Sequence, residues 1–427
     1  MRRLLNQYES FIWMLGREEP FLVQWTLMLS GHIEHPAITR ALKLLQRQHP
    51  LLNSTVTQQA PFEYQPIHND IKLRVHHRKN DTSWQQHTVA ALNQVWPVNE
   101  EDTFLVVDWV QGEDQQEIIF TMDHAFCDLR CVMGLGIDFL KFLDQTIVDI
   151  KDIKIKYYPE LPPIHDLLPT GKPAAPAEAM PVLFTDPSTP LLAEPPYHFK
   201  LPYTLKLSQQ QTEQLLAAVR KNKCTVHSLF SAAMTHTLND FLLESGYKGE
   251  TFCFTPADIK PYLNAEIDMN SLGNFVGDIF HPFVVGNIKP LWDLARHVKQ
   301  DVADAFATDK LEKAKQHIAA LFQDGISLRD VVRGLKIRDA CAAVSNGGVI
   351  PVPTEFKNFK LRQTQVGSAS SVMSGRGRVF WLVVTTLYGE LQLDFLHTCP
   401  IEALDKVPEF AERLMTLLAR EHIISMP

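Results

Sequence analysis

Proline sets the outer limits of this fold. Between Pro159 and Pro202 lie 12 of the chain's 27 prolines. Each one fixes φ at roughly −65° and removes a backbone donor, so neither a helix nor a central strand can run through the segment. It divides the 427 residues into an N-terminal lobe, 1–158, a proline-rich linker, 159–202, and a C-terminal lobe, 203–427. The linker's apolar pieces, Leu167-Leu168, Val182-Leu-Phe184 and Leu191-Leu192, predict an irregular segment that lies against the protein surface.

On both sides of the linker, helical and strand patterns alternate. Leu4–Met14, His35–Gln48 and Trp84–Val95 carry helical periodicity; Phe21–Ser30 and Leu73–His76 look extended. Thr103–Val110 and Glu117–Met122 flank Gln111-Gly112-Glu113-Asp114 as a hairpin. Past the linker, strand Tyr203–Leu207 leads to a helix capped by Ser208, and a long helix covers Val226–Leu243. Val379–Thr385 and Glu390–Phe395 form a second hairpin around Leu387-Tyr388-Gly389, and Ile401–Leu418 is an amphipathic helix. The pattern predicts an α/β protein (α+β mixed sheets) of two similar lobes, with a cleft between them as the place for a ligand.

Composition excludes several classes. A net charge of −8 gives no electrostatic reason to expect nucleic acid or an anionic membrane as partner. No apolar run approaches the length of a spanning helix, and Arg2-Arg3-Leu4-Leu5 meets Asn6, Gln7, Glu9 and Ser10 at once, leaving no apolar signal core, so the expectation is a cytoplasmic protein with no transmembrane segment. The six cysteines are scattered, as free thiols in a reducing compartment are. His124, Cys127, Asp128 and Cys131 have a ligand-like spacing, but no second ligand pair accompanies them, so no metal is expected.

His-x-x-x-Asp occurs four times: His77/Asp81, His124/Asp128, His236/Asp240 and His297/Asp301. Spacing therefore selects nothing. Context does. His77 lies in a polar stretch, and the pairs at 236 and 297 fall inside helical patterns. Only His124 sits where an apolar strand, Glu117–Met122, runs into an apolar helix, Leu129–Leu143. A histidine held at a strand end suits a general base, with the alternative of a hydrogen-bonded core histidine.

Five segments in order carry a resemblance. They are Glu9 and Trp13 with Arg47-Gln-His-Pro-Leu-Leu52; Asp123-His124-Ala-Phe-Cys-Asp128; Thr225-Val-His-Ser-Leu-Phe-Ser-Ala-Ala233; Pro256-Ala-Asp-Ile-Lys-Pro-Tyr262 with Gly273-Asn274; and Val344-Ser-Asn-Gly-Gly348. Together they resemble the condensation-domain superfamily, two-lobed folds related to chloramphenicol acetyltransferase. Within it the chain is most similar to the stand-alone O-acyltransferases: polyketide-associated acyltransferases, alcohol acetyltransferases and the plant BAHD enzymes. Three positions depart from the family pattern. Asp123 replaces the first histidine of the His-His form, Leu129 replaces a glycine after the motif aspartate, and Lys260 stands where an arginine pairs with that aspartate.

The resemblance implies two chloramphenicol-acetyltransferase-like lobes with the active-site channel between them and His124 lining it. It implies transfer of an acyl group from a thioester, acyl-CoA or acyl-carrier protein, to a hydroxyl, with His124 as base and Asp128 organising the turn. Amide formation on an amine acceptor and a catalytically silent carrier- or acyl-binding relative are the alternatives. Asp123, Lys260, Asn274, Ser345, Asn346, Arg376 and Arg378 are the expected substrate-binding positions. No cofactor is tightly bound; the CoA or phosphopantetheine thioester is a co-substrate, the acceptor is a small molecule, and the protein is a monomer. The Ser/Gly-rich stretch Arg362–Arg378 is either a solvated loop before the Val379 strand or a donor entrance where Arg376 and Arg378 meet phosphates.

Overall fold

The computed structural model describes residues 3–5, 7–18, 20–57, 61–95, 103–145, 155–162, 164–169, 199–264, 266–313, 340–370, 378–397 and 406–425. The chain forms two compact units. The first comprises Met1–Pro169, Asp258–Phe275 and Ile350–Ser370; the second comprises Thr170–Ala257, Val276–Val349 and Ser371–Pro427. The units are thus discontinuous, whereas the division at 1–158, 159–202 and 203–427 is not. Segments 258–275 and 350–370, which sequence order assigns to the C-terminal lobe, belong with the first unit, because their bonding partners are there.

Unit 1 holds β1 (Arg3–Leu4), α1 (Gln7–Glu18), β2 (Phe21–Gly31), α2 (His35–Gln48), β3 (Ser54–Val56), β4 (Glu63–Pro66), β5 (Lys72–His77), α3 (Ser83–Leu92), β6 (Leu105–Gln111), β7 (Gln115–Asp123), α4 (Leu129–Gln145) and the four-residue α5 (Ile164–Leu167). Its main sheet runs β12-β2-β7-β6-β5, with β12 being Phe359–Ser370, and β1-β4-β3 form a smaller one. The first helix starts three residues later than its pattern predicts, because Arg3 and Leu4 pair with Tyr64 and Glu63 instead.

Residues 359–370 are a strand, which corrects the loop expected across Arg362–Ser370. Ser and Gly hid the alternation, yet Leu361, Thr364, Val366 and Ala369 are buried, and pairing along β2 from Gly31 to Phe21 satisfies backbone groups that an open edge would leave exposed. Helix α4 buries every residue from Cys131 to Leu140. Gly136 permits that closeness: a Cβ there would lie 2.4 Å from the Trp25 ring. The start of the proline-rich segment packs on this unit, with Tyr158, Leu167 and Leu168 buried and the Leu167 and Leu168 carbonyls taken by Asn264. Val182–Phe184 and Leu191–Leu192 lie outside the described residues.

Unit 2 is a six-stranded mixed sheet in the order β10-β9-β11-β13-β14-β8. Its strands are β8 (Tyr203–Leu207), β9 (Glu250–Asp258), β10 (Val276–Val284), β11 (Ala340–Val349), β13 (Arg378–Leu387) and β14 (Glu390–His397). Parallel pairing joins β9, β11 and β13; antiparallel pairing joins β13, β14 and β8. The β13–β14 turn has positive φ at Tyr388 and Gly389, the conformation a tight two-residue hairpin requires. Helices α6 (Gln209–Lys221), α7 (Val226–Glu244), α8 (Leu291–Ala307) and α9 (Lys406–Arg420) join the core, where Leu229, Phe230, Phe380, Phe410 and Leu414 meet. Ser208 caps α6 in a reciprocal box with Gln211.

Candidate active site

Strand β7 delivers His124 to the β7–α4 turn of unit 1. Pairing with β2 continues one residue past the strand: Asp123 lies opposite Leu22, and the His124 amide donates to the Phe21 carbonyl at 3.0 Å. The imidazole stacks on the Phe21 ring, centroids 4.9 Å apart. The residue is half-buried, but its Nδ1 is sealed from solvent and has no hydrogen-bond partner among the described residues. Desolvation holds the ring's pKa below the usual 6.5, outweighing the backbone of His124 and Cys127 and the Asp128 carboxylate, which act the other way. The imidazole is therefore neutral near pH 7, the state a base needs.

Asp128 secures the turn rather than the ring. It is the N-cap of α4: Oδ1 accepts the Cys131 amide at 2.8 Å and its carbonyl accepts the Val132 amide at 3.1 Å. Oδ2 accepts the Phe275 amide at 3.1 Å, with Lys260 Nζ 3.9 Å away. Desolvation opposes the charge on Asp128, but Lys260 and these amides prevail and hold its carboxyl below the usual 3.8. Lys260 is buried, donates to the Met269 carbonyl at 3.0 Å, and makes the single, loose approach to Asp128 that a lysine in place of an arginine predicts. Leu129 opens α4 without a positive φ, so the turn has no need of the family's glycine.

Asp123 is also turned inward. Oδ1 accepts the Ala125 amide at 2.9 Å, and Oδ2 takes the guanidinium of Arg17, which lies over the Trp13 ring. Burial pushes its carboxyl above the usual 3.8 despite Arg17. The amides of residues 124, 125 and 126 are all spent on protein oxygens, which leaves none of the three to stabilise an oxyanion.

Segment Asp258–Phe275 backs the turn. Asn274 Nδ2 donates to the His124 carbonyl at 2.9 Å, and Gly273 bridges to Cys127 in parallel fashion. Gly273 has φ of +151°, and a Cβ there would meet the Phe275 ring at 2.4 Å. Cys127 is buried with its thiol raised well above the usual 9.0 by desolvation, so it is packing rather than nucleophile. Its Sγ and that of Cys131 point to backbone carbonyls, and Asp128 is spent on amides, so the ligand-like set does not converge on a metal. A cavity of about 40 Å³, room for a few waters, lies behind the turn against His49, Tyr64, Ala125 and Asn274.

The remaining expected positions belong to unit 2 or fall outside the described residues. Ser345 and Asn346 lie on β11 of unit 2; Ser345 Oγ accepts from Trp381 Nε1 at 2.9 Å and Asn346 Oδ1 from the Gly348 amide at 2.9 Å. Arg376 and the Arg378 side chain fall outside the described residues. His77 and His297 are exposed, and His236 bonds the Lys289 carbonyl. Sequence reasoning missed Arg17 and Phe21. The Trp13/Arg17 spacing of four was the one available sign of the first; nothing local announced the second.

With the site in view, comparison with known proteins places the fold. Residues 201–396 match the family described as phthiocerol/phthiodiolone dimycocerosyl transferase C-terminus. No curated protein matches by sequence. Among solved structures, polyketide synthase associated protein 5 from Mycobacterium tuberculosis superposes with a TM-score of 0.68 at 16% identity, covering 98% of this chain and 97% of its own. Trichothecene 15-O-acetyltransferase from Fusarium sporotrichioides gives 0.69 at 12%, covering 99% and 96%. The condensation domain of the Monacolin K polyketide synthase gives 0.66 at 12%, covering 99% and 98%. The likeness in fold to the condensation domains and chloramphenicol-acetyltransferase-like acyltransferases is thereby borne out, and residues 201–396 match one acyltransferase family model.

Proposed function

We propose that the chain transfers an acyl group from a thioester, carried on coenzyme A or on the phosphopantetheine of a carrier protein, to a hydroxyl acceptor, with His124 as general base. The observation that carries this reading is the placement of His124: a ring stacked on Phe21 and set on a turn pinned through the Phe21 carbonyl, Asn274, Asp123 and Asp128. The named neighbours lend support, one being an O-acetyltransferase and another a condensation domain.

With Nδ1 sealed, Nε2 is the nitrogen that meets the acceptor. It takes the hydroxyl proton as the oxygen attacks the thioester carbonyl; the C–S bond then breaks and the proton goes to the leaving thiolate. Base catalysis of this kind contributes about 10²–10⁴-fold. Asp128 and Lys260 move no proton and keep the turn in place. Lys260 and Asp123 thus act as supports, and substrate contacts come from other residues.

The test is release of free thiol by the purified protein from a panel of acyl-CoA donors and an acyl-carrier protein, with alcohols and then amines as acceptors. Ester products dependent on His124 support the reading. Turnover with amines alone makes the chain an amide-forming condensation enzyme, and tight donor binding without turnover makes it a silent acyl-binding relative.

A further inference from the structure

Unit 2 contains a partly buried chain of polar side chains that the reaction above does not use. Thr255, on β9, has its hydroxyl between two imidazoles. Oγ1 lies 2.9 Å from Nε2 of His281 on β10 and 2.9 Å from Nε2 of His227 in the first turn of α7. Thr255 and His281 are both buried, while His227 is half-buried. His281 Nδ1 is 3.0 Å from Oδ2 of Asp301 on α8. Among the described residues, the other groups facing the assembly are Ser231, whose Oγ is 3.3 Å from His227 Nε2, His297, 3.7 Å from Asp301, and Lys310, which acts on Asp301 through space.

Hydrogen-bond parity dictates how such a chain behaves. Asp301 as a carboxylate only accepts, so His281 Nδ1 donates to it. Neutral His281 then carries its lone pair on Nε2 and takes the Thr255 hydroxyl proton. The Thr255 oxygen in turn accepts from His227 Nε2–H, which leaves the His227 lone pair on Nδ1. A proton added at Nδ1 reverses every link. His227 Nε2–H breaks and its proton joins Oγ1; the former hydroxyl proton joins His281 Nε2. His227 ends neutral in its other tautomer, and His281 ends as an imidazolium against the Asp301 carboxylate.

We propose that Thr255 is the hinge of a proton relay whose port is His227 Nδ1 and whose store is the His281–Asp301 pair, a second acid–base centre for a hydroxyl, thiol or water presented to unit 2. Desolvation, and then repulsion from His281, hold His227 down to about 3, so the ring at the port passes a proton on rather than keeping it. The relay is independent of acyl transfer and stands or falls separately from it.

Long-range proton–nitrogen correlation spectra of the labelled full chain, recorded across pH and assigned with His227→Gln and His281→Gln, read both rings directly. The expected result is that His227 switches from the Nε2–H to the Nδ1–H tautomer with the same midpoint at which His281 becomes doubly protonated. Thr255→Ser keeps the switch; Thr255→Val abolishes it while His281 still titrates. A His227 that holds one tautomer through the His281 transition, or that still switches with valine at 255, overturns the relay. Should the valine variant not fold, the wild-type and serine titrations decide the matter.

Discussion

His124 and His281 both sit near aspartates, yet they are built on opposite plans. His281 has both nitrogens engaged, one by Asp301 and one by Thr255. His124 keeps a buried Nδ1 without a partner among the described residues, and its aspartate, four residues on, is spent on capping α4 and meeting Lys260. Desolvation leaves His124 neutral and able to take a proton from substrate, whereas His281 has an oxygen partner at each ring nitrogen. The contrast also shows how poor a guide spacing is. Asp301 forms a looser contact of 3.7 Å to His297 at the motif spacing, and a bond of 3.0 Å to His281 across twenty residues.

The comparison is broken most directly at His124. His124→Ala should lower acyl transfer about 10²–10⁴-fold with the fold retained, measured as thiol release beside a circular dichroism melt. Near wild-type turnover would remove the distinction between the two histidines.

Asp128→Ala is next in size. It leaves Lys260 buried without its counter-charge and α4 without a cap, and should cost about 3–5 kcal/mol in denaturant unfolding. Adding Lys260→Met should return part of that loss; strict additivity of the two changes would show that the pair is not coupled. The sign with pH follows from the depressed carboxyl. Asp128 contributes stability that is present above its unfolded-state pKa and lost as pH falls through its lower folded-state value. Asp128→Asn should therefore show a shallower loss of stability in acid than the wild type.

A smaller effect separates the two rings by pH. Because desolvation lowers the His124 pKa, the acyl-transfer rate should rise with pH to a plateau through a midpoint below the ordinary 6.5. A midpoint above 6.5 would mean that the Asp128 carboxylate, rather than desolvation, governs this ring. The smallest change is Asp301→Asn, where the half-buried carboxylate is partly screened by solvent; about 1 kcal/mol of stability should be lost in a urea titration.

Much of this protein was legible in its residues. The strand ending at His124 and the helix beginning at Leu129, the β6–β7 and β13–β14 hairpins, and the Ser208 cap all appear where local pattern predicts them, because periodicity, turn residues and caps act within a few positions of themselves. Five ordered segments carried the likeness in fold. Other features required the tertiary structure. Arg17 reaching Asp123, Asn274 and Phe275 binding the β7–α4 turn, β12 completing the first sheet, and Asp301 choosing His281 all join residues far apart in sequence. Such contacts depend on strand register and on which buried charge finds which partner, and neither is encoded in any short stretch of chain. The residues at 123 and 260 that depart from the family pattern show the same division: the sequence names an aspartate and a lysine, and only their burial against Arg17 and Asp128 makes them supports.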